Sequence, residues 1–150
     1  MLLIATELEH LINQHLNGLR SISEKEMMAK PNPSKWSKKE IIGHLADSAQ
    51  NNIRRFVVAQ YENNPQVKYD QDKWVAIAGY QQYDTDDVID LWFLLNKHMV
   101  AILKNTSSVI AQRTSLTEEM HTIEWLAIDY IKHLKHHLHQ VLELEPILYP

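Results

Sequence analysis

Between residues 133 and 139 the chain reads His133-Leu-Lys-His136-His137-Leu-His139, four imidazoles within about two turns of any helix. The whole chain has nine histidines, and five of them fall between His121 and His139. A neutral imidazole is the side chain most often used to hold a transition metal. His133 and His137 stand four residues apart, which on a helix puts them on one face, with Cβ atoms roughly 5–6 Å apart. Two ring nitrogens can then converge on one ion. Three neutral imidazoles with an open position would suit zinc or nickel. Such an ion lowers the pKa of bound water for hydrolysis, or binds and deprotonates a small thiol so that its sulfur attacks an electrophile. The chain has no cysteine, so thiolate ligands and an internal cysteine nucleophile are excluded, and any thiol chemistry needs an external thiol.

Helical geometry decides which histidines can meet. At about 100° per residue, Leu126, Tyr130, Leu134, Val141 and Leu144 define an apolar arc that contains His137 and borders His133. His136 and His139 fall on the polar side with Lys132, Lys135 and Glu143. A His-x-x-x-His pair alone is weak evidence, because a buried histidine can simply hydrogen-bond. A third ligand is required, and His44 is a candidate. It lies at the edge of the stripe formed by Ile41, Leu45, Ala49, Ile53 and Phe56, with Ser48, Asn51 and Arg55 on the same border. His15 sits on the apolar face of the first helix and reads as a core residue, with membership of the site as its alternative. His10, His98 and His121 lack paired spacing and read as surface or loop residues.

Four helices must position these groups. Leu2 to Leu19 carry Ile4, Leu8, Leu11, Ile12, Leu16 and Leu19 at helical spacing. Lys30-Pro-Asn-Pro33 marks a loop. Ser37 and Glu40 have capping-box spacing, and the helix they open runs to about Tyr61, before Asn63-Asn64-Pro65. Glu62 to Asp84 reads as a long crossover with a short helical turn at Lys73 to Ala78 and a break at Gly79. Asp84 to Asp87 cap a third helix with Val88, Trp92, Leu95, Met99 and Leu103 on its buried stripe. Asn105 to Met120 reads as loop, and Thr122 caps a fourth helix that ends before Pro146. The expectation is an all-α fold, one domain over residues 1–150, built as a four-helix up-down bundle with one long crossover connection. Trp36, Trp74, Trp92 and Trp125 read as packing anchors, with Trp74 and Tyr80 the better candidates for a pocket rim.

Two segments carry a resemblance. Lys35-Trp-Ser-Lys-Lys-Glu-Ile-Ile-Gly-His-Leu-Ala-Asp-Ser48, followed by Asn51-Asn-Ile-Arg-Arg-Phe56, resembles the second-helix signature of the DinB/YfiT-like superfamily. Glu124-Trp-Leu-Ala-Ile-Asp-Tyr-Ile-Lys-His-Leu-Lys-His-His-Leu-His-Gln-Val141 is similar to that family's closing helix. The likeness spans nearly the whole chain in order and spacing. It implies a four-helix fold, frequent homodimers, and a metal held by His44, His133 and His137. It also implies enzymatic action on a small molecule, since the superfamily includes transferases and isomerases dependent on bacillithiol, mycothiol or glutathione. A low-molecular-weight thiol is thus an expected co-substrate. Other members are described as metal-dependent hydrolases, which is the alternative reading. A non-catalytic, stress-related metal-binding dimer is a third.

Supporting roles follow as expectations. Arg55 would pair with a carboxylate of the substrate or thiol, or else cover the bundle surface. Asp129, four residues before His133, is spaced to accept that ring's second N–H. Gln140 borders the same edge and would contact bound water. Asp47 and Ser48 would transfer protons if they reach the open position. The net charge of -4 gives no basic field for phosphate backbones, so nucleic acid is not an expected partner. No stretch approaches the roughly 18 apolar residues of a membrane span, and the first residues lack the pattern of a signal peptide, which makes the cytoplasm the expected location.

Overall fold

The computed structural model describes residues 1–149. In chain order the helices are α1 (Leu2–Arg20), α2 (Glu24–Met28), α3 (Lys38–Val58), α4 (Gln71–Ala78), α5 (Thr85–Asn105), α6 (Ser108–Ala111) and α7 (Ile123–Val141). A 3₁₀ turn at Tyr80–Gln82 follows α4, and a short antiparallel hairpin of β1 (Thr114–Leu116) and β2 (Met120–Thr122) precedes α7. The four long helices α1, α3, α5 and α7 form the bundle. The starts of α3, α5 and α7 are chemically encoded. The Ser37 hydroxyl accepts from the Glu40 amide at 3.2 Å while the Glu40 carboxylate accepts from the Ser37 amide at 2.8 Å, the reciprocal box that satisfies two orphan donors. The Asp84 carboxylate caps α5 and the Thr122 hydroxyl caps α7.

Contacts between side chains fix the directions of the helices. Arg20 pairs with Asp90 and Lys104 with Glu9, so α1 and α5 run antiparallel. The Lys39 ammonium donates to the Tyr83 carbonyl at one end of α3, and Gln60 lies against Thr106 at the other, so α3 and α5 run parallel. Lys38 meets Glu143, which makes α3 and α7 antiparallel, and Lys135 meets Glu7, which makes α1 and α7 parallel. The four-helix bundle with one long crossover is present, and the crossover sets its directions: up, down, down, up. Up-down alternation therefore stops at the crossover, because 59–84 carries the chain back to the end where α3 began. Helices α3 and α1 both pack on α5 and on α7, and they face each other across the bundle diagonal.

The core is apolar and closed, with Leu8, Ile12, Leu45, Phe56, Ile89, Trp92, Met99, Leu103, Leu134 and Leu138 fully buried. Fully burying each large side chain is worth about 1.5–3 kcal/mol. Two glycines shape the crossover. Gly79 takes a left-handed φ of 68° and ends α4. At Gly43 an added Cβ would stand 2.2 Å from Tyr80 Cδ2, so only glycine lets the Tyr80 ring lie on α3.

Two stretches differ from the sequence-based expectation. Asn105 to Met120 is not simply loop, since it contains α6 and β1. The strand joins the crossover, with the Leu116 amide donating to the Pro65 carbonyl at 2.9 Å and the Val67 amide to the Leu116 carbonyl at 3.3 Å. These partners are some 50 residues apart, and short polar strands leave no periodic trace. Helix α2 was equally silent at five residues, although Ser23 and Glu26 form a second capping box.

Candidate metal centre

His44 enters from α3, six residues past its start, and His133 and His137 come from successive turns of α7. Because α3 and α7 pack antiparallel, the three rings meet in the seam between them, where each has a ligand nitrogen within 4.8 Å of the others. His44 Nε2 lies 3.1 Å from His133 Nε2. Two nitrogens bound to one ion at about 2.0–2.1 Å must lie within about 4.2 Å of each other, and this pair does. The donor set fits a divalent transition metal. Burial pushes the imidazole of His44 down to about 3 and that of His133 to about 2, with the neighbouring rings adding to the effect. His137 is lowered as well, chiefly by burial. All three are therefore neutral, the form in which imidazole binds a metal.

His137 is oriented by its own helix. Its Nδ1 lies 3.1 Å from Gln140 Oε1, an acceptor, so the proton sits on Nδ1 and Nε2 keeps its lone pair. Gln140, expected to contact bound water, orients His137 instead, and the contact expected between Asp129 and the second N–H of His133 is not formed. Asp129 instead accepts from the Tyr149 hydroxyl at 2.8 Å. His15 stays out of the cluster, buried on α1 with its ring 6.1 Å from that of His139. The outward pair on α7 has separate work: His136 Nδ1 contacts the Ile147 carbonyl at 2.5 Å and His139 Nδ1 the Glu145 carbonyl at 2.7 Å. These contacts fold the C-terminal segment back along α7 and bring Tyr149 to the His133 ring, with centroids 5.3 Å apart.

Cavities reach the cluster from two sides. One, of about 270 Å³, is lined by His133, Ser48, Arg55, Tyr69, Asp129 and Tyr149 among others. The other, of about 540 Å³, is reached past His137, Gln140 and Trp36. Gln71, at the start of α4, borders both, so the crossover roofs the site between them. Arg55 is held against the crossover by its Nε and Nη2, which donate to the Val67 carbonyl at 3.1 and 2.9 Å.

Ser48 and Arg55 line the cavity. Asp47 stands behind it, buried, accepting from the Tyr80 hydroxyl at 2.5 Å. Burial raises its carboxyl to about 6, against the opposing pull of that hydrogen bond. Tyr80 is buried rather than rim-forming. Trp74 backs Tyr69 edge-on at 5.4 Å, and Tyr69 is the ring that faces the cavity. Trp125 is no packing anchor: it is 47% exposed, stacked on His121 at 3.7 Å. Tyr69 and Tyr149 were missed because they lie in irregular segments where no periodicity assigns a facing, and Gln71 because it opens α4, which at eight residues is too short to assign one. The Asn-Pro and Gly breaks marked only that the chain turns there.

Known proteins share this fold and sequence pattern. Residues 5–141 match the model of the DinB superfamily. A protein of Oceanobacillus iheyensis bearing the name "Putative metal-dependent hydrolase" is 28% identical over 92% of this chain and 81% of its own length. YfiT of Bacillus subtilis, with the same description, is 26% identical over 73% of this chain and 64% of its own. For further relatives so named the match spans 42% of their length. Among solved structures, that of YfiT, described as a probable metal-dependent hydrolase with an unusual four-helix bundle topology, superposes with a TM-score of 0.82. It covers 93% of this chain and 82% of YfiT at 22% identity. A mycothiol-dependent maleylpyruvate isomerase superposes with a TM-score of 0.71 at 14% identity, covering 96% of this chain and 60% of the isomerase. Matched from its first bundle helix to the end of its last, this chain belongs to the DinB superfamily.

Proposed function

We propose that this chain is a metal-dependent enzyme acting on a small molecule, with one divalent ion, zinc or nickel, held by His44, His133 and His137. The observation that carries the reading is the convergence of three neutral imidazoles beside a polar cavity. When bound, the ion supplies Lewis acidity that turns water or a thiol into a nucleophile near neutral pH. The chain supplies the rest. Gln140 fixes the His137 tautomer, Arg55 presents a guanidinium for an anionic group, and the Ser48 hydroxyl offers a proton relay on the cavity wall. Asp47, tied to Tyr80, steadies α3 behind His44. Purified without chelator or affinity tag, the protein holds about one transition metal per chain, and His44→Ala abolishes it. Absence of metal, together with no uptake of zinc or nickel in titration, ends this reading.

The nucleophile separates two versions. Transfer to an external thiol of the bacillithiol, mycothiol or glutathione type accords with the lack of cysteine and with the likeness in fold to a mycothiol-dependent isomerase. Hydrolysis accords with the names of the relatives. Turnover that rises with added thiol supports transfer, and full turnover in thiol-free buffer supports hydrolysis. No helix among the described residues is long and apolar enough to cross a membrane, and the cytoplasm is the proposed setting. A homodimer belongs to the same proposal and is checked by light scattering.

A further inference from the structure

The cavity beside His133 carries one positive and one negative side chain, Arg55 and Asp129, close enough to attract each other, yet neither is held in a salt bridge. Arg55 makes three hydrogen bonds, two to the Val67 carbonyl and one from Nη1 to Asn52 Oδ1 at 3.2 Å. All three acceptors are uncharged. They fix the plane of the guanidinium and leave one N–H on each terminal nitrogen, the pair with which arginine grips a carboxylate. Asp129 receives only the Tyr149 hydroxyl, on Oδ2. Among the described residues, neither forms an ion pair with an opposite charge, although eight such pairs join other residues. Arg55 is half-buried, and burial lowers its pKa more than the nearby Tyr69, Asp129 and Tyr149 raise it. A charge withdrawn from water without a counter-charge in contact is unfavourable unless a ligand supplies that contact.

We infer that this cavity binds a small zwitterion, with its carboxylate on Arg55 and its ammonium group on Asp129. Ser48, Asn52, Tyr69, Gln71 and Thr117 complete a neutral, hydrogen-bonding wall. At about 270 Å³ the space lies just under the roughly 300–1,000 Å³ of drug-sized ligand pockets, so the occupant is of amino-acid size or is the aminoacyl end of something longer. His133 lines the same space, which places the bound molecule's far end toward the three imidazoles. The inference rests on the proposed enzyme only for that last step. Charge recognition by Arg55 and Asp129 needs no metal.

Metal-free, isotope-labelled protein titrated with alanine, propionate and ethylamine, followed by NMR shifts of the Arg55 side chain and the Trp125 indole, tests it. Alanine carries both charges, and each of the others carries one. The expected result is saturable alanine binding about tenfold or more tighter than either. Arg55→Gln reduces alanine to the level of ethylamine, and Asp129→Asn reduces it to the level of propionate. Arg55→Lys, which keeps the charge, preserves the preference for alanine over ethylamine and guards against a merely structural loss. Equal binding of the three probes, or no saturable binding at all, overturns the inference. Zinc or nickel titration of the same sample is scored separately, so failure of the metal centre and failure of the zwitterion site give different results.

Discussion

The two sides of the bundle are built from different chemistry. Where α5 packs against α1 and α3, the seam is filled by Ile12, Leu19, Ile42, Ile89, Trp92, Met99 and Leu103. No residue of α5 lines either cavity at the histidines. Where α3 meets α7, the seam holds His44, His133 and His137, and the crossover covers it in place of a closely packed helix. Helix α3 belongs to both sides. Its Leu45 and Ala49 face the apolar seam, while His44, Ser48 and Arg55 border the polar one. Stability is thus concentrated away from the site, and the site is held by a frame that does not depend on the groups it presents.

Three experiments can break or sharpen that contrast. The largest effect is expected on the apolar side: Trp92→Ala costs about 3–5 kcal/mol of unfolding free energy, read by denaturant titration, while metal stoichiometry of the folded fraction is unchanged. Loss of metal in that variant under native conditions would show that the two sides are coupled.

A smaller effect comes from acid. His44, His133 and His137 have depressed values in the folded chain, whereas the unfolded chain takes up protons below about 6.5. Their stability contribution is intact above that pH and is lost as the pH falls toward about 3 for His44 and about 2 for His133. Asp47 opposes them. Raised from 3.8 to about 6, it favours the folded state at acid pH, and that gain is lost as the pH rises through about 6. Three imidazoles outweigh one carboxyl, so the metal-free protein unfolds at lower urea at pH about 5 than at pH about 7, and His133→Leu flattens the difference. Equal midpoints at the two pH values in the parent protein would show that the rings are hydrated in solution.

The smallest effect tests the orienting contact. Gln140→Leu lowers metal affinity roughly tenfold with little change in the melting temperature of the metal-free chain. An unchanged affinity would mean that the α7 backbone alone holds His137.

How far the sequence can be read depends on whether a feature is local. The long helices follow from apolar spacing and from caps within four residues, as Ser37 with Glu40 and Asp84 with its neighbouring amides illustrate. His133 and His137 could be paired because one helix carries both, and His44 could be proposed because it borders an apolar stripe and matches a family signature. Gln140 shows the limit, since in the sequence it reads as a contact for bound water and Asp129 as the orienting residue, whereas the structure puts Gln140 on His137. Tyr69, Gln71 and Tyr149 could not be placed at all, because their positions depend on how the crossover and C-terminal segments fold back onto α3 and α7.

What the sequence determined by itself was the four long helices, their inward faces and the identity of the imidazoles, because propensity, capping and periodicity act over a few residues. Only the tertiary structure decided which of those imidazoles meet, that His136 and His139 bind the chain's own carbonyls, and that Arg55 and Asp129 share a cavity with His133. The physical reason is the packing of α3 against α7 under the crossover. Residues separated by some 75 to 90 positions are brought within one seam, and no local signal records such a distance.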